Sequence, residues 1–349
     1  MKPNHLNDFR IGPSLRPHFF SLLILFTFAF SGFAQEDKTW LEFKGADGLG
    51  QGKNIVLISG DDEYRSEEGL PMMAKILSSH HGFNTHVLFP INPDTKEIVP
   101  NYNKNIPGLE HLQDADLVIM LLRFRELPDE QMKYIDDYIQ SGKPLIALRT
   151  STHAFNYSKD SKSPYAKYHW QSKVEGWEQG FGKKILGETW VAHHGHHAVE
   201  GTRGLLDGIQ AEAKNPILNG VIDIWAASDV YTVRDLGDDA RVLIHGASTK
   251  GMTPEAPINW GKSLMPVAWT QSYTSDSGNK GKVFASTMGA SVDLQSEDLR
   301  RMVVNATFWC LNMENQIPEK ANVDIVGEYH PTMFGFDNFR EGMKVSDFE

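Results

Sequence analysis

The feature that most constrains the fold is a short apolar run at residues 144–148 that ends abruptly on polar side chains. A run of this length between turn residues is typical of a β-strand that is covered on both faces of a sheet. In open α/β sheets, ligands bind outside the carboxyl ends of such strands. We therefore expect a binding cleft to be lined by the polar residues that follow this strand, which are Arg149, Thr150, Thr152 and His153.

Similar apolar runs alternate with helical patterns along the first half of the chain. Strands are predicted at 54–58, 83–89 and 117–122, and helices at 70–80, 109–114 and 128–140. This alternation predicts an α/β fold with a doubly wound, mostly parallel sheet. After residue 155 the pattern weakens, and the predicted elements are β segments at 184–190, 230–233, 241–245, 266–270 and 282–287 and a helix at 296–311.

The two ends of the chain differ from this α/β pattern. Residues 1–34 combine basic residues, an apolar stretch and small residues near Ala34, as in a secretory signal peptide. We therefore expect cleavage near Ala34, export to the periplasm or the extracellular space, and no stable membrane span. Residues 35–312 are expected to form the α/β domain, with an insertion around 156–200, of which residues 156–182 are expected to be a lid or insertion rather than core. Residues 313–349 are expected to form an extended tail packed on the domain.

The composition excludes some classes of function. The chain carries 34 lysines and arginines against 45 aspartates and glutamates, which gives a formal net charge of −11. An acidic protein of this kind is a poor candidate for binding nucleic acid. Cys310 is the single cysteine, so an intramolecular disulfide is excluded, and its apolar neighbours in the sequence predict a buried, unreactive thiol.

Charged residues follow several of the predicted strands. Guanidinium groups match carboxylate, phosphate and polyol oxygens, so the arginines at these strand ends indicate a local binding site in an acidic protein. The alternative is that the same arginines form structural ion pairs with Asp62, Glu126 and the other acidic neighbours. The candidates for substrate binding outside the first cleft segment are Asp61, Glu63, Arg65, Arg123 and Arg125.

A run of four histidines within residues 193–197 is the sharpest local signal. Imidazoles ligate divalent metals, zinc first, and His193, His194 and His197 are the predicted ligands. Since neighbouring side chains of a strand point to opposite faces, the four rings cannot all share one metal. An imidazole that acts as a general acid or base, and simple loop packing, are the two alternatives.

Two weaker signals concern Ser151 and the aromatic residues. Ser151 lies near His153, but the Gly-x-Ser-x-Gly elbow of a serine hydrolase is absent. Aromatic rings stack on sugars, although such residues more often belong to the core. The aromatic residues concerned are Tyr165, Tyr168, Trp170, Trp177 and Trp190, of which Trp177 is the selected candidate for substrate binding.

Seven stretches together resemble the ThuA-like (trehalose utilisation) proteins. They are residues 60–68, 122–131, 149–155, 193–195, 215–220, 266–270 and 281–289, and the likeness covers about 50–312. The resemblance implies the flavodoxin-like, three-layer α/β sandwich of class I glutamine amidotransferases. Arg149 occupies the position of their cysteine, so glutaminase chemistry is not expected. Ala290 stands where members of the family often have histidine.

The resemblance also implies a carbohydrate-processing role for an exported protein, linked to 3-keto-glycosides. A carbonyl at C3 acidifies the proton at C2, so a base such as His153 or His194 is expected to start an elimination, hydrolysis or isomerisation. Arg149 or a bound metal would stabilise the enolate. The competing hypothesis is a non-catalytic module that binds glycans or a partner enzyme. In either case we expect a small carbohydrate ligand and no nucleotide cofactor. A homo-oligomer is one of the assembly states that the sequence allows.

Overall fold

The structure of the protein is a computed structural model that describes residues 38–349. The signal peptide predicted at 1–34 therefore lies outside the described residues. Within 38–349, we find no helix that has both the length and the apolar character of a membrane span.

Within residues 38–349, ten strands form a single sheet. They are β1 Trp40–Phe43, β2 Asn54–Gly60, β3 Asn84–Leu88, β4 Leu117–Leu122, β5 Leu145–Leu148, β6 Thr202–Gly204, β7 Trp225–Ala226, β8 Arg241–Ser248, β9 Met265–Thr274 and β10 Lys280–Ser286. The α-helices are α1 Ser66–His81, α2 Asp129–Gln140, α3 Leu206–Ala211 and α4 Glu297–Cys310. The predictions of β2 to β5 and of α1, α2 and α4 are confirmed to within a few residues.

The sheet is mixed rather than mostly parallel. Its strand order is β1-β3-β2-β4-β5-β10-β9-β8-β6-β7. Neighbouring strands are parallel from β3 to β10 and antiparallel at β1 and from β10 to β7. The predicted parallel sheet is therefore right for the central strands only. The connection between β9 and β10 spans residues 275–279, which is too short for the crossover that a parallel pair needs.

Alternate residues of the central strands enter two separate apolar cores. Along β2, Ile55 and Leu57 face the core that holds α1 and α4. Val56 and Ile58 face the core that holds α2. Helices thus cover both faces of the sheet, which explains why its central strands are continuously apolar in sequence.

The segment predicted as a strand at 184–190 is instead a single π-helical turn, Gly182–Leu186. The turn ends at Gly187, whose φ of 91° favours glycine. The indole of Trp269 donates a hydrogen bond to the carbonyl oxygen of Leu186 at 2.8 Å, so this turn packs on β9. Part of the predicted insertion is therefore core rather than lid, since Tyr168, Trp177 and Phe181 of this segment are also buried.

Further differences involve short elements. The predicted strand at 230–233 is only a single β-bridge between Tyr231 and His193. The sequence patterns missed β1, β6, β7 and α3, because elements of two to six residues are too short to establish a period.

The C-terminal tail is pinned to the domain by main-chain contacts. The N–H of Ile98 donates to the carbonyl oxygen of Met343 at 2.8 Å. The Nε2 of His81, at the end of α1, lies 2.7 Å from the carbonyl oxygen of Asn322. Phe334 is buried, with its ring centroid 5.0 Å from that of Tyr64. The tail therefore reaches the loop that follows β2.

We predict that Ile119→Ala lowers the free energy of unfolding by about 2–5 kcal/mol, because a central strand cannot collapse around the cavity that is left. Ile119 lies in β4 and is 0% exposed. Ile222→Ala is the matched control, since Ile222 is 69% exposed and its truncation should change stability by less than about 0.5 kcal/mol. Chemical denaturation of the two variants measures the difference, and equal losses would contradict the assigned core.

Candidate functional site

A cavity of about 180 Å³ lies at the carboxyl ends of β2, β4 and β5. The loops after these strands meet there, as expected for a largely parallel central sheet. The cavity is lined by Glu63, Arg123, Phe124, His153, Trp170, Trp190, His193, His197, Tyr231 and Phe336. Five of the predicted site residues therefore converge on one space that aromatic rings enclose: Glu63, Arg123, His153 and the predicted metal ligands His193 and His197.

A buried carboxylate, Asp229, connects the groups at the floor of this cavity. Its Oδ1 lies 2.7 Å from Nη2 of Arg149, and its Oδ2 lies 2.7 Å from Nδ1 of His193. His197 adds Nδ1 at 3.6 Å from Oδ1. Burial alone would raise the pKa of Asp229, but the Arg149 guanidinium and the two imidazoles hold it well below its ordinary value.

Arg149 lies beneath the cavity and does not line it. The side chain is fully buried, and its guanidinium is stacked between Tyr64 and Tyr231, with ring centroids 4.4 and 3.8 Å from Cζ. It also donates hydrogen bonds to the Tyr64 hydroxyl at 2.9 Å and to the Thr287 carbonyl oxygen at 2.8 Å. The prediction that Arg149 contacts substrate therefore does not fit its position, since its nitrogens are turned inward and hold Asp229.

Asp61 fixes the loop after β2 against the turn after β5. Its carboxylate accepts the N–H of Glu63 at 2.7 Å, and also the N–H of Tyr64 and the hydroxyl of Thr150. Burial, followed by the charge of Asp62, raises the pKa of Asp61 to about 6. Asp61 and Thr150 were predicted to bind substrate, but they hydrogen-bond to each other and so connect two loops of the protein.

His197 bridges the two acidic side chains of the site. Its Nε2 lies 3.1 Å from Oε1 of Glu63, while Nδ1 faces Asp229. Hydrogen bonds to Asp229 and then to Glu63 raise the pKa of His197 to about 9, against the opposing effect of burial. This imidazole therefore carries a positive charge at neutral pH.

Arg123 brings a second positive charge to the cavity. Its Nη1 lies 2.9 and 3.0 Å from the two carboxylate oxygens of Asp62, and its Nε lies 3.6 Å from Glu63. The guanidinium stacks between the rings of Phe124 and Phe336, at 4.4 and 4.7 Å from their centroids. Ion pairs and ring stacking therefore hold this strand-end arginine in a position where it lines the cavity.

His153 lies among aromatic rings in the same cavity. Its ring centroid lies 5.1 Å from that of Phe124 and 5.4 Å from that of Trp190. Burial, followed by the charges of Arg123 and Arg149, holds the pKa of His153 well below its ordinary value. At neutral pH this imidazole is therefore uncharged, and it lines the cavity as a neutral ring with one N–H donor and one nitrogen acceptor.

Two of the predicted arginines are structural. Arg65 is buried, and its Nη2 donates to the carbonyl oxygen of Gly335 in the tail. Arg125 is buried, and its Nη1 donates to the carbonyl oxygen of Tyr102 at 3.2 Å. Neither lines the cavity. Both side chains bond to main-chain carbonyls, which the pattern of strand-end arginines does not reveal.

Three other candidates also lie outside the cavity. Thr152 donates to the Arg149 carbonyl oxygen and caps its own turn. The indole of Trp177 is buried and donates to the Asp276 carboxylate at 3.0 Å, so it is core. His194 points the other way from His193, and its Nε2 lies 2.8 Å from the Ser263 carbonyl oxygen. The predictions of His194 as a base and as a metal ligand are therefore wrong, because its side chain lies outside the cavity.

The donors that could hold a metal are His193, His197 and Asp229. One ligand atom from each lies within 4.8 Å of the others. Two imidazoles and a carboxylate are ligands that zinc accepts. The third donor of this group is therefore Asp229, whereas the sequence predicted His194 as the third ligand. His193 already forms a hydrogen bond with Asp229 at 2.7 Å, and His197 lies 3.6 Å from the same carboxylate. The Arg149 guanidinium also forms an ion pair with this carboxylate, at 2.7 Å.

The sequence patterns missed Asp229, Tyr231 and the tail residue Phe336. Asp229 precedes the β segment predicted at 230–233 and follows no strand that the sequence predicted, because β7, which ends at Ala226, is too short to establish a period. Phe336 lies in a tail that has no periodicity, and its closeness to Arg123 depends on the whole path of residues 313–349. The one available signal was the acidic residue just before the apolar run at 230–233.

Comparison with known proteins identifies one family. The sequence profile described as "ThuA: Trehalose utilisation" matches residues 56–310, which is well over half of the chain. A putative ThuA-like protein from Parabacteroides merdae is 14% identical, with a TM-score of 0.46 over 81% of this chain and 97% of that one. A second, from Bacteroides uniformis, is 12% identical, with a TM-score of 0.43 over 77% and 95% of the two chains. No curated protein matches the sequence.

An exo-β-1,4-mannosidase from an Opitutaceae bacterium is a more distant structural neighbour. It is 9% identical, with a TM-score of 0.33, and the match covers 74% of this chain and 35% of the mannosidase chain.

We predict that His197 stabilises the fold in a pH-dependent way. Its pKa is raised from 6.5 to about 9, so its stabilising contribution is complete below pH 6.5 and is lost as the pH rises through about 9. The difference in unfolding free energy between the wild type and His197→Gln should therefore be largest below pH 6.5 and shrink towards pH 10.

The control for this measurement is His330→Gln, because His330 is an exposed histidine of the tail. Its substitution should leave the pH profile of stability unchanged. A His197→Gln difference that stays constant from pH 6 to pH 10 would contradict the assigned ion pairs.

Proposed function

The chain belongs to the ThuA (trehalose utilisation) family of the glutamine amidotransferase-like superfamily, and on that premise we propose that it is a carbohydrate-processing enzyme. The proposed substrates are small sugar derivatives that carry a keto group, such as 3-keto-glycosides. The proposed chemistry is proton transfer by imidazoles, which leads to elimination. The observation that carries the proposal is the Asp229–His193 pair next to the protonated His197 in one cavity.

His193 is the proposed general base. Its Nδ1 lies 2.7 Å from the Asp229 carboxylate, which favours the tautomer with the proton on Nδ1 and leaves Nε2 to accept a proton. A buried carboxylate that orients an imidazole also stabilises the imidazolium that forms when a proton is taken up. His193 lines the cavity and is therefore within reach of a bound ligand.

His197 is the proposed general acid. It is charged at neutral pH and lines the same cavity, with its ring centroid 4.7 Å from that of His193. An imidazolium beside an imidazole whose Nε2 can accept a proton supplies an acid and a base in one site. Arg123 is the residue proposed to stabilise the enolate, since it lines the cavity and its guanidinium can donate hydrogen bonds to the developing negative oxygen.

The reaction balances with these groups alone. Nε2 of His193 takes the proton from the carbon next to the carbonyl, and the electron pair of that C–H bond forms a double bond to the anomeric carbon. The bond from the anomeric carbon to the glycosidic oxygen breaks, and His197 delivers a proton to the leaving oxygen. Arg123 balances the charge on the carbonyl oxygen during the transfer.

The walls and the size of the cavity support a sugar ligand. Trp170, Trp190 and Tyr231 present aromatic faces, and such faces stack on the C–H surfaces of sugar rings. A volume of about 180 Å³ suits one ring rather than two. Residues 1–34 have the pattern of a signal peptide, so we place this activity outside the cytoplasm.

We predict that His193→Ala lowers the rate of proton abstraction from a 3-keto-glucoside by about 10²–10⁴-fold, the usual contribution of a general base. His194→Ala is the matched control, because it is the next residue along the chain and its side chain binds Ser263 outside the cavity. Loss of the C2–H signal by NMR in D₂O, together with release of the aglycone, measures the two steps. Equal rates in the two variants would contradict the assignment, and sugar binding without any exchange in the wild type would favour the non-catalytic module.

A metal centre is the second candidate, because the donor atoms of His193, His197 and Asp229 lie within 4.8 Å of one another. A divalent ion, zinc first, would polarise the keto oxygen when bound. We favour the metal-free arrangement because Asp229 already neutralises Arg149.

Elemental analysis of the purified protein separates the two candidates. We expect wild type and His193→Ala to contain the same substoichiometric amounts of zinc, since the donors pair with each other. About one zinc per chain in the wild type, reduced in His193→Ala and unchanged in His194→Ala, would instead establish the metal centre.

A further inference from the structure

A second, larger space adjoins the cavity. It is an open groove of about 1000 Å³ that shares two walls, Trp170 and Trp190, with the cavity. The groove is lined by Lys159, His169, Trp170, Gln171, Ser172, Lys173, Gln179, Thr189, Trp190, Val191 and Arg234. A ligand that fills the cavity with one ring therefore continues into this groove.

The charge of the groove is opposite to that of the whole chain. Three cationic side chains, Lys159, Lys173 and Arg234, line it, and none of its described lining residues is acidic. The chain as a whole has a formal net charge of −11. All three cations are exposed, and within residues 38–349 neither Lys159 nor Lys173 forms a salt bridge.

The carboxylate nearest to Arg234 does not cancel this charge. Oε1 of Glu188 lies 4.0 Å from Nη2 of Arg234, at the limit of an ion pair. Glu188 is buried, and it accepts the main-chain N–H groups of Thr189, Arg234 and Asp235. The backbone N–H groups therefore stabilise the charge of Glu188. The exposed guanidinium of Arg234 donates from Nη2 to Oε1 of Gln179 at 3.3 Å and has further N–H groups that can bind a ligand.

Neutral polar groups complete the groove. Gln171 is exposed, and Gln179 and Thr189 line the same wall. Amide and hydroxyl groups of this kind bind sugar hydroxyls, while the two tryptophans offer stacking faces. Cations, amides and aromatic rings together match a sugar unit that carries a negative charge.

We propose that the groove is a second sugar subsite that binds an anionic unit, either a uronic acid or a sulfated sugar, next to the unit in the cavity. This inference rests on the proposed function, because it takes the reacting ring to lie in the cavity. It narrows the substrate class to acidic oligosaccharides, whose neighbouring unit carries a carboxylate or a sulfate ester.

Calorimetric titration with three matched disaccharides tests the proposal. The first has a uronic acid as its second unit, the second is its carboxyl-reduced neutral counterpart, and the third carries a 6-sulfate on that unit. We expect at least one acidic disaccharide to bind about fivefold more tightly than the neutral one, as two exposed ion pairs would give. The preference should decrease with added salt.

The double variant Lys173→Gln with Arg234→Gln should lose the preference and keep the affinity for the neutral disaccharide. Lys214→Gln is the matched control, because Lys214 is exposed and lies outside the groove. Which acidic disaccharide gains affinity identifies the carboxylate or the sulfate ester as the natural group.

Each further outcome separates this inference from the proposed function. If the neutral and both acidic disaccharides bind the wild type equally, the subsite is wrong and the sugar cavity stands. If inorganic sulfate alone competes as strongly as the sulfated disaccharide, the groove binds free anions only and the subsite is again wrong. If no disaccharide binds the wild type at all, the proposed function fails as well.

Discussion

The site depends on one buried carboxylate. Asp229 is excluded from water, and a carboxylate in that position is costly unless charged partners surround it. Arg149 supplies a full positive charge at 2.7 Å, and His193 donates a hydrogen bond at the same distance. Removal of Arg149 would leave the Asp229 carboxylate buried without its fully buried cationic partner, and removal of Asp229 would do the same to the Arg149 guanidinium. The need to stabilise this buried carboxylate therefore fixes the positions of Arg149 and His193 at the base of the cavity.

The sheet brings these partners together from distant parts of the sequence. The turn after β5 supplies Arg149, the loop after β2 supplies Glu63 and Tyr64, and the antiparallel half of the chain supplies His193 and Asp229. Asp61 locks the first two loops to each other. The tail closes the site from outside, since Phe336 stacks on Arg123. The turn after β5 carries Arg149 at the position where the resemblance to class I glutamine amidotransferases implies a cysteine, and for this reason the proposed chemistry uses imidazoles rather than a thiolate.

The sequence predicted the central sheet well because both faces of β2, β4 and β5 are covered, and covered strands are continuously apolar. It also predicted the edge at which the site lies. It did not predict which side chains turn into the cavity, because Arg65, Arg123 and Arg125 follow strands in the same way and differ only in their tertiary partners. His193 and His194 are likewise adjacent in sequence, but His193 lies in a β-bridge with Tyr231, so the two side chains point to opposite sides of the chain.

The protonation states of His193 and His197 decide whether the floor of the cavity works as described. Nitrogen-15 NMR of the two imidazoles at pH 7.5, in the wild type and in Asp229→Asn, measures them directly. We predict that His197 carries protons on both nitrogens and that His193 carries its proton on Nδ1, with both signatures lost in Asp229→Asn. A neutral His197 in the wild type, or a His193 whose tautomer is the same in both proteins, would contradict the central role of Asp229.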